Sequence, residues 1–145
     1  MFENVATIVI NTSPDEVFRF VANAENYPQW AMGAYVVNLS AGSFGDGTLI
    51  QHSGQLMVRV SHVQVNQSFE TESIRIHFPT RFLVKHTHGM IQFEPVGQGT
   101  QVTLKEQVDL RPFLKPFEPL IAKKAHQNSH AALEQLKKLL EQKKG

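Results

Sequence analysis

Within the twenty-one residues from Ile10 to Trp30 the chain must leave a strand, build a helix, start a second short helix and stop. Ser13 and Glu16 have the Ser-x-x-Glu spacing of a capping box, in which each side chain covers an amide left unpaired at a helix start. Pro14 falls on the first helical position, where its missing N–H costs nothing. Val17, Phe18, Phe20 and Val21 give the helix an apolar face. The Tyr27-Pro28 pair turns the chain out of the next short helix, and Trp30 follows at once. Upstream, Asn4 to Asn11 carries Val5, Ile8 and Ile10 and reads as a strand. Any fold for this chain therefore places two small helices directly after its first strand.

The remaining segments read as strands until residue 110. Ala34 to Leu39, Thr48 to His52, Leu56 to Val65, Phe69 to Phe78, Arg81 to Glu94 and Thr100 to Leu110 are separated by turn signals. Those turns are Gly42 to Gly47, Ser53-Gly54, Pro79 and Pro95 to Gly99. Seven strands on short connections imply an antiparallel meander. Pro112, Pro116 and Pro119 then predict an irregular turn before a long helix from about Phe117. On a helical projection Phe117, Ile121, Ala125, Asn128, Ala132, Leu136 and Leu139 share one stripe. Its C-terminal half is bulky, with Leu133, Leu136, Leu139 and Leu140, whereas Ala125, Asn128, Ser129 and Ala132 in the middle are small or polar. A curved sheet gripping such a helix is expected to be packed at one end and underfilled along the middle, which makes a pocket. The competing reading fills that space with bulky strand residues.

Composition narrows the classes. A chain of 145 residues with no repeat or linker reads as one domain, 1–145. A net charge of +1 argues against nucleic acid as a partner. Lys137, Lys138, Lys143 and Lys144 suit the negative end of a helix dipole. There is no cysteine, and so no thiolate chemistry or cysteine metal site. No apolar run is long enough to span a bilayer, and the start of the chain lacks a signal-peptide pattern, so a cytoplasmic location is expected.

Glu106 is the polar residue that stands out, sharing the apolar face of its strand with Val102, Leu104 and Val108. A carboxyl facing an apolar cavity has a raised pKa and can orient a polar ligand group or act as a general acid. The alternative is a pairing with Arg59 or Arg75 across the sheet. It is the one candidate catalytic residue, with His86 or His52 as potential partners. His86 and His88 project to one face of their strand, and His77 on the neighbouring strand would complete a three-nitrogen metal site. A solvated strand face is the more economical reading, with a bulge near Gly89 reconciling the mixed parity, so no metal or cofactor is expected. His126 and His130 have the spacing of helical zinc ligands, but Gln127 stands where a metalloprotease has its acid, and both project outward. Gly42 to Gly47 lacks the lysine and the helix of a phosphate cradle.

A strand, two small helices, six more strands and a long C-terminal helix is the order of the START-like, or SRPBCC, superfamily. Ser13-Pro-Asp-Glu-Val-Phe-Arg-Phe-Val-Ala22 resembles the first helix of its polyketide cyclase/dehydrase members, and Glu25-Asn-Tyr-Pro-Gln-Trp30 the second. Phe93-Glu-Pro-Val-Gly-Gln-Gly-Thr100 resembles the hairpin between the last two strands, and Ala132 to Glu141 the end of the long helix. The resemblance implies an α+β helix-grip fold, shared with birch-pollen-allergen-like proteins: a seven-stranded curved antiparallel sheet with the C-terminal helix lying across it. It implies a carrier or sensor for a hydrophobic or amphipathic molecule, lipid- or polyketide-like, held between sheet and helix. Polyketide cyclisation or dehydration by acid/base residues, and a protein-interaction module such as a homodimer, are the alternatives. Trp30, Tyr35, Phe78, Phe113 and Phe117 would gather at the end where this fold admits ligands, with the three prolines as a gate. His52, His86, Glu106, Ala125 and Ser129 complete the expected ligand-facing set.

Overall fold

The computed structural model describes residues 2–31, 34–52 and 56–142. Strand β1 (Phe2–Ile10) leads into α1 (Pro14–Val21), then a 3₁₀ turn (Ala24–Asn26) and α2 (Tyr27–Trp30). Strands β2 (Ala34–Asn38), β3 (Leu49–His52), β4 (Leu56–Gln64), β5 (Ser68–Ile76), β6 (Val84–Val96) and β7 (Gly99–Leu110) follow. A 3₁₀ segment (Pro112–Phe117) precedes α3 (Glu118–Gln142). The described strands form one antiparallel sheet in the order β1-β7-β6-β5-β4-β3-β2, with α3 packed mainly along β1. This is the helix-grip α+β fold, and the seven strands match the predicted ones to within a few residues.

Several local expectations are corrected. Ser13 is the N-cap of α1 and Pro14 opens it, but no capping box forms. The Ser13 hydroxyl instead donates to Asp15 Oδ1 at 2.7 Å, since that carboxylate lies closer along the chain than Glu16. The register shift in β6 lies between Val84 and His86 and not at Gly89. The buried stripe of α3 is Ser129, Leu133, Leu136 and Leu140, one residue round from the expected line, so Asn128 is exposed. The expected Ser53-Gly54 turn, and Lys143 and Lys144, lie outside the described residues.

Burial is graded along the strands. At the end where β1 runs into α1, Ile10, Val17, Val21, Val60, Phe69, Val102, Leu133 and Leu136 are fully enclosed. Phe18 meets Phe93 edge-on with ring centres 5.6 Å apart, and Phe69 meets Phe44 at 5.1 Å. Tyr27 packs on Trp30 at 5.4 Å in the same core, where burial pushes its hydroxyl pKa upward. Toward the opposite end the residues of the concave face change character. Leu56, Ser73, Thr87, Val108, Ile121 and Ala125 are only partly buried, because the helix above them offers small side chains.

The closed end also depends on Gly99. A Cβ there would sit 2.5 Å from the Ile10 carbonyl oxygen, a backbone atom that cannot swing aside. Gly99→Ala is expected to lower the unfolding free energy by about 1–3 kcal/mol. Urea denaturation followed by tryptophan fluorescence checks this, and unchanged stability would show that the two strands part freely at this point.

Candidate functional site

Strand register assembles the site before any side chain is considered. Asn4 of β1 lies opposite Glu106 of β7, Glu106 opposite Gly89 of β6, and Gly89 opposite Thr71 of β5. Paired residues in an antiparallel sheet point to one face, so this row crosses the floor of the grip. Above it, the small residue Ser129 allows close approach of α3. Asn4 is buried and donates through Nδ2 to Ser129 Oγ at 2.9 Å. His126 Nδ1 lies 3.1 Å from Asn4 Oδ1, which can only accept, so the ring donates there. Ser129 in turn acts on the Glu106 carboxyl as a donor that lowers its pKa. Donation therefore runs one way, from His126 through Asn4 and Ser129 to Glu106.

One flank of Glu106 is left without a side chain. The missing Cβ of Gly89 would lie 2.8 Å from Thr71 Oγ1, so a hydroxyl occupies the space that a larger residue would take. A carboxylate offers about four acceptor positions, and the relay uses one of them. Burial raises the Glu106 carboxyl pKa above its ordinary value of 4.5, while the Ser129 hydrogen bond pulls it partway back. His52, on the concave face opposite Ala34, is pushed the other way by burial and is kept neutral more readily.

The expected residues divide into groups. Glu106, Ser129, Ala125 and His52 are wholly or partly buried on the grip side. Trp30 is buried beside Tyr27, and its indole N–H has no hydrogen-bond partner among the described residues. Tyr35 pairs with Gln51 on the opposite face to Ala34 and is 52% exposed. His86 is also outside the grip: its Nε2 meets Glu72 Oε1 at 3.1 Å, as His88 meets Glu70 at 2.8 Å. His77 approaches Gln51 instead, at 3.4 Å, so the three histidines do not converge. No group of metal-binding side chains occurs among the described residues. Phe78 packs on Phe82, while Phe113 and Phe117 stand exposed beside the start of α3, so the five aromatics form no single cluster with Trp30. Two surface depressions, one along the outer side of α3 and one around His86, His88, Gln107 and Asp109, also lie away from the relay.

Sequence reasoning missed Asn4 and Thr71; His126 is exposed, as expected, although its ring reaches Asn4. The alternation Asn4-Ala6-Ile8-Ile10 held the signal for Asn4, a polar residue in the inward register of β1. Val5, read as part of the apolar pattern, is exposed.

With the site described, relationships can be stated. Residues 1–141 match the family described as polyketide cyclase / dehydrase and lipid transport, and the chain belongs to that family. Among solved structures, it resembles protein MLL2253 from Mesorhizobium loti at 16% identity, covering 97% of this chain and 98% of that one, with a TM-score of 0.75. A START superfamily protein from Mycobacterium smegmatis matches at 16% identity over 95% and 98%, TM-score 0.72. The Aha1 dimer from Colwellia psychrerythraea matches at 19% identity over the full length of both chains, TM-score 0.72. At these identities the likeness establishes the fold alone. No curated protein matches. No helix among the described residues is long and apolar enough to cross a membrane.

The direction of the Glu106 shift gives a pH test. With its folded pKa raised, the folded protein holds a proton that the unfolded chain releases above about 4.5. Stability therefore falls as pH rises from that value through the folded pKa, and the penalty is absent below it. Glu106→Gln removes the titration. The variant is expected to gain stability relative to wild type as pH rises toward neutrality, and the gap should shrink on acidification. Denaturant curves across pH measure this, and a pH-independent gap would show a solvated carboxyl.

Proposed function

We propose that the protein is a cytoplasmic carrier or sensor that holds an amphipathic small molecule between the sheet and α3. The polar group of the ligand sits on Glu106. One observation carries the reading: donors lead from His126 through Asn4 and Ser129 toward a partly buried carboxyl that sits beside a glycine. A carboxyl on an apolar concave face costs free energy unless its acceptor positions are filled. A ligand hydroxyl or amide would fill those positions. The partly buried apolar residues Leu56, Val108 and Ile121 offer contact for its hydrophobic body. The unpartnered Trp30 N–H is a further donor that a bound molecule could satisfy.

A catalytic reading draws support from the same carboxyl. A raised pKa suits a general acid in cyclisation or dehydration of a polycarbonyl substrate, with neutral His52 on the same face. Binding is preferred because the relay supplies donors that hold Glu106 in place, which is what recognition needs, and needs no second titrating group.

Native mass spectrometry of protein purified from its own host is expected to show a bound small molecule that denaturation releases. Gly89→Ala pushes a methyl group against Thr71 beside Glu106, and should weaken that ligand about tenfold, roughly 1.4 kcal/mol. Calorimetric titration of the recovered ligand measures the change. An empty native protein, or equal affinity in the variant, would count against the reading.

A further inference from the structure

Away from the relay, the open end carries a surface that the grip does not use. Phe78 and Phe82 pack edge-to-face at 5.3 Å in the turn between β5 and β6, yet are 65% and 55% exposed, and Leu83 follows them. Phe113, Phe117 and Leu120, between β7 and the first turn of α3, are 63%, 55% and 69% exposed. Arg111 joins the two segments. Its N–H donates to Leu83 O at 2.9 Å, and its guanidinium donates twice to Arg81 O at 3.0 and 3.2 Å. The six apolar side chains thus stand on one stitched platform. Single exposed leucines are ordinary on a protein surface, but six exposed apolar side chains on two segments tied together by Arg111 suit an interaction face.

Charge identifies the partner. Residues 78–85 and 111–124 hold Arg81, Lys85, Arg111, Lys115, Lys123 and Lys124 against Glu118 alone, in a chain whose net charge is only +1. The Arg81 guanidinium lies 6.0 Å from the Phe78 ring and 5.8 Å from that of Phe82, which places cation and aromatic rings side by side. Aromatic rings flanked by basic side chains match the boundary of an anionic bilayer, where rings enter the acyl margin and cations meet headgroups. A second copy of the chain would set two strongly basic faces against each other, which like-charge repulsion opposes.

We propose that this platform docks the protein on the surface of a membrane containing anionic lipid. The surface is separate from the Glu106 niche, so the inference stands whether or not the grip holds a ligand. Sedimentation with phosphatidylcholine vesicles containing about one-third phosphatidylglycerol is expected to carry the protein down at low salt, and screening by high salt should release it. Neutral phosphatidylcholine vesicles should bind much less. Phe113→Ser with Phe117→Ser should weaken binding about tenfold through lost apolar contact. Phe82→Ser, in the other segment, should act in the same direction. Lys123→Glu with Lys124→Glu should weaken it by about fivefold or more for each cation lost. Lys138→Glu, near the far end of α3, should change little, and circular dichroism confirms that each variant is folded. Absence of binding at low salt, or equal binding by the platform variants and wild type, would overturn the proposal. So would a dimer, seen by light scattering, that the phenylalanine variants dissolve while vesicles bind neither form.

Discussion

Everything in this fold rests on the docking of the distal half of α3 against β1. Leu133, Leu136 and Leu140 enter the closed end with Ile10 and Val102. The helix also hydrogen-bonds the backbone at the end of the strand. Lys137 donates to the Val9 carbonyl at 3.0 Å, and Glu141 accepts from the Asn11 amide at 3.1 Å. β1 is an edge strand, and an edge left with unpaired backbone groups invites other chains to pair with it. Truncating a buried leucine costs about 2–5 kcal/mol, whereas a buried polar group left imperfectly paired costs about 1–3. Three such leucines outweigh the polar middle of the helix, so the proximal half of α3 can stand off the sheet without the fold failing.

The relay has a direction that chemistry imposes. An ionised carboxylate only accepts, so Ser129 must donate to it and must receive from the Asn4 amide nitrogen. That orientation leaves the Asn4 carbonyl to accept from His126 and sets the proton of that ring on Nδ1. Once Glu106 is protonated the constraint lifts, because the carboxyl can then donate as well as accept. Under the proposed reading the carboxyl would present an acceptor or a donor to a ligand according to one proton, and burial brings that choice nearer neutrality than it would be in water.

Sequence reasoning reached the architecture because each of its signals was local. Pro14 at a helix start acts through near neighbours and is kept, while Tyr27-Pro28, expected to end the second short helix, instead opens α2. Glu106 was legible for a similar reason, since alternation along one strand shows which face it shares. Its partners were not. Asn4 and Ser129 are 125 residues apart and meet only because β1 pairs with β7 and α3 returns over both. The parity of β6 was ambiguous because a register shift at Val84–His86 changes the face partway along, and a shift of that kind leaves little trace in residue type. The aromatics were misgrouped because Trp30 and Phe78 have the same apolar character, while only tertiary packing decides which is enclosed.

The position of Glu106 constrains how a ligand would lie under the proposed reading. Its pairing with Asn4 is two residues in from the Phe2–Val108 pair at the open margin, about 7 Å along the strands. On the closed side the next inward residues, Leu104 and Ile91 and then Val102 and Phe93, already pack against one another and the core. Free contact surface lies toward the margin, at Val108, Leu56 and Ile121. An amphipath anchored at Glu106 would therefore enter polar group first, with its apolar body pointing back toward the exposed phenylalanines. That order suits uptake from a bilayer only if the molecule turns over on leaving it, since its polar group begins at the headgroups. A complex showing the polar group among Phe113 and Phe117 would reverse the order and make the relay a structural element of the floor.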